Sequence, residues 1–311
     1  MKLRPVDKIW PNDFNECMQM SAIIGLIPIA YYILMTKVLP ELLDYGTPGY
    51  ILLQLLGMFL FSNLMSNFFM CMLADTSIDP WIMSLQLERE NKKPINWHEC
   101  DKCDIWAPPR SHHCKICHVC VLKRDHHCTF IGSCIGHANY RYFFFFIIYS
   151  VISSLIAFIA NLVFIHALRG GSHKFVLLPF ANAVYDIQNL NEDGKLNLLE
   201  IFKSLIPGNF EIIFAILFGL NTLLLFLSMY FLYRFLPILI RGATYYELKK
   251  NIFTYDRGLS LNFQMILGTR MKWTWISAFI SSPLPHDGIQ WLTEDKDADD
   301  AKQSEMKNCV S

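Results

Sequence analysis

The 311-residue sequence has no net charge, with 27 Lys and Arg against 27 Asp and Glu. Without a basic excess it lacks the electrostatic footprint of a nucleic-acid partner. No acidic residue falls in the middle of a long apolar run, which counts against an ion-coupled transporter. The first such run is too long for a cleaved signal peptide, and no clear cleavage site follows it. No internal repeat or low-complexity block is apparent before the C-terminal tail.

What is present is apolar: hydrophobic residues make up 53% of the chain and gather in long blocks. A helix needs about 20 apolar residues to cross the hydrocarbon of a bilayer. Four segments reach that length, Met18–Val38, Tyr50–Leu73, Tyr142–Leu168 and Phe210–Ile240. Four spans put both termini on one side. The connections on that side, 1–17, 74–141 and 241–311, hold 21 Lys and Arg, whereas 39–49 and 169–209 hold 4. The positive-inside rule then places both termini and the 74–141 segment in the cytosol, and 169–209 in the lumen. The expected fold is an all-α polytopic membrane protein with four transmembrane helices. Its parts are a cytosolic N-terminus (1–17), helices one and two (18–73), a cytosolic cysteine-rich domain (74–141), helices three and four (142–240) and a cytosolic C-terminal domain (241–311). Polar residues within the spans, among them Gln54, Asn63, Asn67, Asn161 and Asn221, read first as interhelical hydrogen-bonding groups.

Seven of the ten cysteines, with seven histidines, lie between Trp97 and Asn139. In the reducing cytosol such a cluster reads as metal ligands or reactive thiols before disulfides. A structural zinc takes four sulfur or nitrogen ligands. Two Cys3His sites would use six cysteines and leave one. Spacing alone does not name the spare residue. Cys128 follows Asp125, His126 and His127, the setting that activates a thiol. The competing reading makes Cys128 a ligand and leaves Cys134 free.

The run "CDKCDIWAPPRSHHCKICHVCVLKRDHHC" followed by "CIGHANYRYF" resembles the cysteine-rich domain of DHHC-type protein S-acyltransferases, across some 45 residues. These membrane enzymes move palmitate from acyl-CoA to protein cysteines. The four-span layout and "YDRGLSLNFQMILG", with Asn262, are similar to the same family. "SPLPHDG", and the lack of Pro-Trp after the cysteine, resemble its divergent animal subgroup numbered twenty-four. The resemblance implies one zinc on Cys100, Cys103, His113 and Cys120 and a second on Cys114, Cys117, His127 and Cys134. It implies Cys128 as nucleophile, His126 as its base and Asp125 orienting that base. It also implies Phe130 against the acyl chain of palmitoyl-CoA. Lys123 and Arg124 are read either as contacts to CoA phosphates or as a solvated basic face near anionic lipid. Partners would be membrane-associated proteins with cysteines near the bilayer, and the compartment endoplasmic reticulum or Golgi.

The sequence departs from that pattern. Thr129-Phe130 stands for the usual Pro-Trp, Gly132-Ser133 for Asn-Asn, and Asp79-Pro80-Trp81 for Asp-Pro-Gly. Thr244-Tyr245-Tyr246-Glu247 stands for Thr-Thr-x-Glu, whose second Thr bonds the catalytic Asp in relatives; the Tyr245 hydroxyl is expected to take that contact. Two other classes compete: a membrane zinc-domain scaffold without acyl transfer, and a zinc-domain ubiquitin ligase. Lastly, "NLNEDGKLNLLE" at Asn189–Glu200 has the spacing of an EF-hand loop, suited to weak Ca2+ binding, although a polar turn before a short helix is the plainer reading. The acidic tail reads as disordered.

Overall fold

The computed structural model describes residues 2–79, 96–168 and 210–291. The EF-hand-like stretch at 189–200, with the whole 169–209 connection, lies outside the described residues, as do Pro80, Trp81 and the acidic tail.

Among the described residues, four helices are long and apolar enough to cross a membrane: α1 (Phe14–Leu42), α2 (Pro48–Leu73), α3 (Tyr140–Leu168) and α4 (Phe210–Ile240). They fall where the sequence places its spans and mark an integral membrane protein. Their starts follow local chemistry. Asp13 caps α1, its Oδ1 accepting from the backbone N–H of Asn15 and Glu16. Thr47 caps α2 through its hydroxyl, and Pro48 fills the first helical position, where a missing N–H costs nothing. A wide π turn at Leu34–Val38 interrupts α1 just before Pro40, which has no N–H to continue the ladder.

The polar residues of the spans divide. Gln54 donates from α2 to the Met35 carbonyl of α1, and Asn221 from α4 to the Ser154 carbonyl of α3. Both are the interhelical bonds expected in lipid. Asn67 instead donates to Asn63 O on its own helix at 2.8 Å.

The chain splits into two compact units. One holds 1–25, 62–148 and 230–311; the other holds 26–61 and 149–229. Every residue of the site described below belongs to the first unit.

That unit also contains the part of the fold that is not helical. Among the described residues, six three-residue strands pair as β1–β2 (His98–Cys100, Ile105–Ala107), β3–β4 (His112–Cys114, Val119–Val121) and β5–β6 (His126–Cys128, Ser133–Ile135). All three pairs are antiparallel. The all-α expectation therefore holds for the spans and is corrected for the cysteine-rich segment. Strands this short carry too little alternation to register as strands in a sequence.

After α4 the chain turns back sharply. Gly242 takes φ +58°, Ala243 N–H bonds Ile238 O, and Gly242 N–H bonds Leu239 O, a left-handed helix terminus. Two short helices follow, α5 (Tyr245–Lys250) and α6 (Leu259–Leu267). Asn262 on α6 is buried and fastens this return. Its amide donates to Ile240 O and to Asp256 Oδ1, each at 2.7 Å, while its oxygen accepts from Arg257 N–H.

A Cβ at Gly242 would stand 2.5 Å from Asn262 Oδ1, in a backbone conformation that already disfavours side chains. Asn262 is bonded on both ends of its amide and has nowhere to move. Gly242→Ala should therefore cost about 1–3 kcal/mol, read as a lowered midpoint in thermal unfolding of the detergent-solubilised protein.

Candidate active site and metal centres

The three hairpins are one unit repeated every 14 residues: "HECDKCDIWA" from 98, "HHCKICHVCV" from 112 and "HHCTFIGSCI" from 126. Each joins its strands by four residues, the last in a left-handed conformation: Asp104 (φ 52°), His118 (φ 55°) and Gly132 (φ 60°). Asp, His and Gly are among the residues that tolerate this conformation. The turns close alike, Cys103 N–H bonding Cys100 O and Ile131 N–H bonding Cys128 O, both at 3.1 Å. The sequence shows this repeat once the hairpins are aligned, which corrects the reading that no repeat precedes the tail. Dense cysteine obscures it, because the same residue type serves at three different positions of the unit.

The repeat explains the grouping of ligands. Cys100, Cys103, His113 and Cys120 bring their ligand atoms within 4.8 Å of one another, and so do Cys114, Cys117, His127 and Cys134. Each group takes a Cys-x2-Cys turn from one hairpin and a cross-strand His/Cys pair from the next, His113 opposite Cys120 and His127 opposite Cys134. Zn–S of about 2.3 Å and Zn–N of about 2.0 Å give tetrahedron edges of roughly 3.3–3.8 Å. Nδ1 of His127 lies 3.7, 3.2 and 3.8 Å from the sulfurs of Cys114, Cys117 and Cys134, and Cys117 and Cys134 are 3.8 Å apart. Nδ1 of His113 lies 3.2 Å from Cys103 and 4.0 Å from Cys120. The donor sets fit zinc.

Cys128 occupies the position in the third hairpin that Cys100 and Cys114 hold in the first two. Its turn partner there is Ile131, fully buried, instead of a cysteine. It belongs to neither group. Beside it, Asp125 is sunk in the protein and its Oδ2 lies 2.7 Å from His126 Nδ1. Cys128 lies two residues further along β5, so its side chain shares a strand face with the His126 ring. Burial pushes the His126 pKa down, but the bond to Asp125 and the neighbouring Cys128 outweigh burial and raise it to about 9. Phe143 and Phe235 stand 5.3 and 5.2 Å from the imidazole, and Phe130 meets Phe231 edge-on at 6.0 Å. A carboxylate, an imidazole and a free thiol thus form a relay with an apolar wall, an arrangement able to deprotonate the thiol for attack on an acyl carbon.

A sequence profile described as DHHC palmitoyltransferase matches residues 93–252, more than half of the chain. The chain belongs to the DHHC palmitoyltransferase family. A probable palmitoyltransferase ZDHHC24 of Rattus norvegicus is 31% identical over 209 residues, 63% of this chain and 64% of that protein. The probable palmitoyltransferase ZDHHC24 of Danio rerio is 33% identical over 200 residues, 63% of this chain and 61% of the relative. Palmitoyltransferase ERF2 of Saccharomyces cerevisiae is 48% identical over a shorter 75 residues, 24% of this chain and 21% of the relative. The chain thus spans just under two thirds of the length of the first two relatives.

Within this family member, two expected contacts fall elsewhere. The Tyr245 side chain does not reach Asp125; its ring is 40% exposed and lies under the Arg234 guanidinium at 5.2 Å. Its backbone N–H donates to Asp125 Oδ1 at 2.7 Å instead. A main-chain donor serves with any side chain at this position, which is why the change from Thr is accommodated. That N–H opens α5, which Thr244 and Glu247 cap reciprocally. Glu247 also takes a two-pronged bond from Arg110, at 2.8 and 2.7 Å, and Arg110 reaches Gly242 O at 2.7 Å. The guanidinium lies 4.4 Å from the Tyr255 ring and 4.3 Å from Trp291. Arg110 lies in the sequence between the first two hairpins; the sequence reading missed it because nothing in its spacing marks it.

Lys123 corrects the second expectation, that of a surface charge meeting phosphate. It is 2% exposed, held in the left-handed region at φ 43°, with its ammonium 5.5 Å from the Tyr140 ring and 5.7 Å from Trp291. Burial, helped by the Arg110 charge and opposed by Glu247 and Asp125, pulls its pKa down to about 7. Arg124 is half-buried, and its backbone N–H bonds Arg110 O at 3.0 Å.

The Lys123 shift has a definite sign. Between about pH 7 and 10.5 the folded state binds fewer protons than the unfolded one, so stability from this group is full above 10.5 and falls away as pH drops through 7. Lys123→Met removes that burden while filling the same space. Its advantage in thermal stability over wild type should be greatest at pH 6.5 and nearly gone at pH 10.5. An advantage that grows with pH would show that the ammonium is solvated.

Proposed function

We propose that this chain is a protein S-acyltransferase that moves a long-chain acyl group, palmitoyl above all, from acyl-CoA to cysteines of membrane-associated proteins through an acyl-Cys128 intermediate. The observation that carries the reading is the relay Asp125–His126–Cys128, standing outside both ligand groups. Family membership and the palmitoyltransferase names of the relatives support it.

Asp125 holds His126 by Nδ1, so the other ring nitrogen is left for the thiol. With its pKa raised to about 9, that ring holds the thiol's proton at neutral pH while Sγ of Cys128 attacks the thioester carbonyl. The C–S bond to CoA breaks, and the CoA thiolate leaves with the proton from His126. In the second half a substrate cysteine gives its proton to His126 and attacks the acyl-Cys128 carbonyl, and the Cys128 thiolate departs. Two half-reactions through one covalent intermediate give ping-pong kinetics. The rings of Phe130, Phe143, Phe231 and Phe235 would seat the first carbons of the chain. At about 0.8 kcal/mol per buried CH2, sixteen carbons supply on the order of 10 kcal/mol toward holding the acyl donor. The two zinc ions, on Cys100, Cys103, His113, Cys120 and on Cys114, Cys117, His127, Cys134, would be structural: with no open coordination position they set the hairpins and leave the chemistry to Cys128. In this reading the hairpins and both termini face the cytosol, in endoplasmic reticulum or Golgi membranes, between the second and third spans.

The deciding experiment labels cells expressing the protein with an alkyne palmitate analogue. Wild type should carry a hydroxylamine-sensitive label that Cys128→Ser abolishes, with two zinc atoms per chain in both. A mutant that loses one zinc would make Cys128 a ligand, and a wild type that never labels would favour the scaffold or the ligase. Because Asp125 is held by a backbone N–H, Tyr245→Phe should leave the rate of acyl-enzyme formation within about twofold, less than the loss of one hydrogen bond would cause.

A further inference from the structure

The nucleophile's hairpin is gripped from outside the cysteine-rich segment, at the residues on either side of Cys128. Glu16, in the first turn of α1, is buried together with His127, each side chain 6% exposed. Its Oε1 lies 3.0 Å from His127 Nε2. The other nitrogen of that ring, Nδ1, faces the three sulfurs of the second ligand group. One turn further along α1, Gln19 Oε1 accepts a hydrogen bond from the Thr129 hydroxyl at 2.6 Å. Between these contacts Met20 is fully buried, and its sulfur lies where a Cβ at Gly132 would come within 2.6 Å. Arg4 donates to Gly132 O from the same side.

We infer that Glu16 is the outer carboxylate of the second metal centre and that, with Gln19, it makes the start of α1 the element that positions the Cys128 hairpin. The inference rests on the reading that this group holds zinc and that Cys128 is the acylated thiol. A histidine that binds metal through one nitrogen is fixed in tautomer and plane by whatever its other N–H bonds, and a carboxylate there strengthens it as a ligand. Here that carboxylate comes from a membrane-spanning helix, so the zinc centre and the membrane anchor share one buried bond. Glu16 is a positioning residue: it acts on Cys128 through His127. The Thr129 hydroxyl, at the place where the family pattern has proline, supplies the matching contact on the other flank.

Glu16 touches a ligand of the second group only, which gives the test its selectivity. Purified wild-type protein, with its two zinc atoms counted by elemental analysis, is mixed with excess 4-(2-pyridylazo)resorcinol and zinc release is followed by absorbance. In Glu16→Ala one of the two atoms should leave about tenfold to a hundredfold faster while the other keeps its wild-type rate. Glu16→Gln, whose amide oxygen still accepts from Nε2–H, should fall between Ala and wild type. Gln19→Leu and Thr129→Val should each slow Cys128 acylation about two- to tenfold, and the double variant no more than either alone. Equal acceleration of both zinc atoms in Glu16→Ala would mean general loosening and would overturn the inference, as would two unchanged rates. A wild type with fewer than two zinc atoms would bring down the underlying reading instead, and this inference with it.

Discussion

The buried ion pair between Arg110 and Glu247 is the constraint on which the geometry of the candidate relay depends. Glu247 faces two tasks at once. One of its oxygens bonds the Thr244 N–H while both meet Arg110, so capping α5 and binding the cysteine-rich segment are the same event. A helix of six residues has little stability of its own. It is fixed by this pair, and its opening N–H is thereby aimed at Asp125. Asp125 in turn has both oxygens assigned, one to Tyr245 and one to His126. Breaking a buried pair of this kind by removing one partner typically costs about 3–5 kcal/mol. In this protein the loss would also free the carboxylate that orients His126.

The aromatic setting shows why the pair is tolerable inside the protein. Two like charges, Arg110 and Lys123, share the neighbourhood of Trp291, and only Arg110 has a carboxylate on it. The guanidinium is planar and stacks on ring faces with a small desolvation cost, whereas an ammonium is a compact, strongly hydrated charge. Arg110 thus keeps its carboxylate partner, while Lys123 is brought to the edge of neutrality.

Much of this was legible in the sequence, and the failures have physical reasons. Apolar length located all four helices to within a few residues at most ends, because hydrocarbon thickness sets the length and composition carries the signal. Cysteine parity left one thiol over, and the two groups that assemble are the ones the family resemblance named. The hairpins escaped notice since strands of three residues have no measurable period. Lys123 was read from its charge, whereas its fate is set by a left-handed backbone and the rings around it. Tyr245 was read from its side chain, yet the contact belongs to the main chain and so leaves no mark in residue identity. Glu16 sits alone among apolar and polar neighbours near the start of α1, and only the fold brings it to His127.

The 14-residue repeat gives the spare thiol a structural origin. In the first two hairpins a cysteine ending the first strand pairs with another three residues later, and a His/Cys pair from the following hairpin completes the ligand set. In the third hairpin the partner is Ile131, and the chain runs into α3 at Tyr140 where a fourth hairpin would have begun. Cys128 therefore occupies a candidate ligand position without a matching set, held in the same kind of turn as Cys100 and Cys114 but outside both groups. What turns that position into a candidate nucleophile is the residue two before it. His98 and His112 begin the first strand of their hairpins as His126 does, but only His126 has a buried carboxylate against its ring, supplied by Asp125 and secured from α5. On the proposed reading, a scaffold of two candidate metal sites gains its reactive thiol through one missing cysteine and one added carboxylate, with the neighbouring ligand groups keeping the geometry that both changes require.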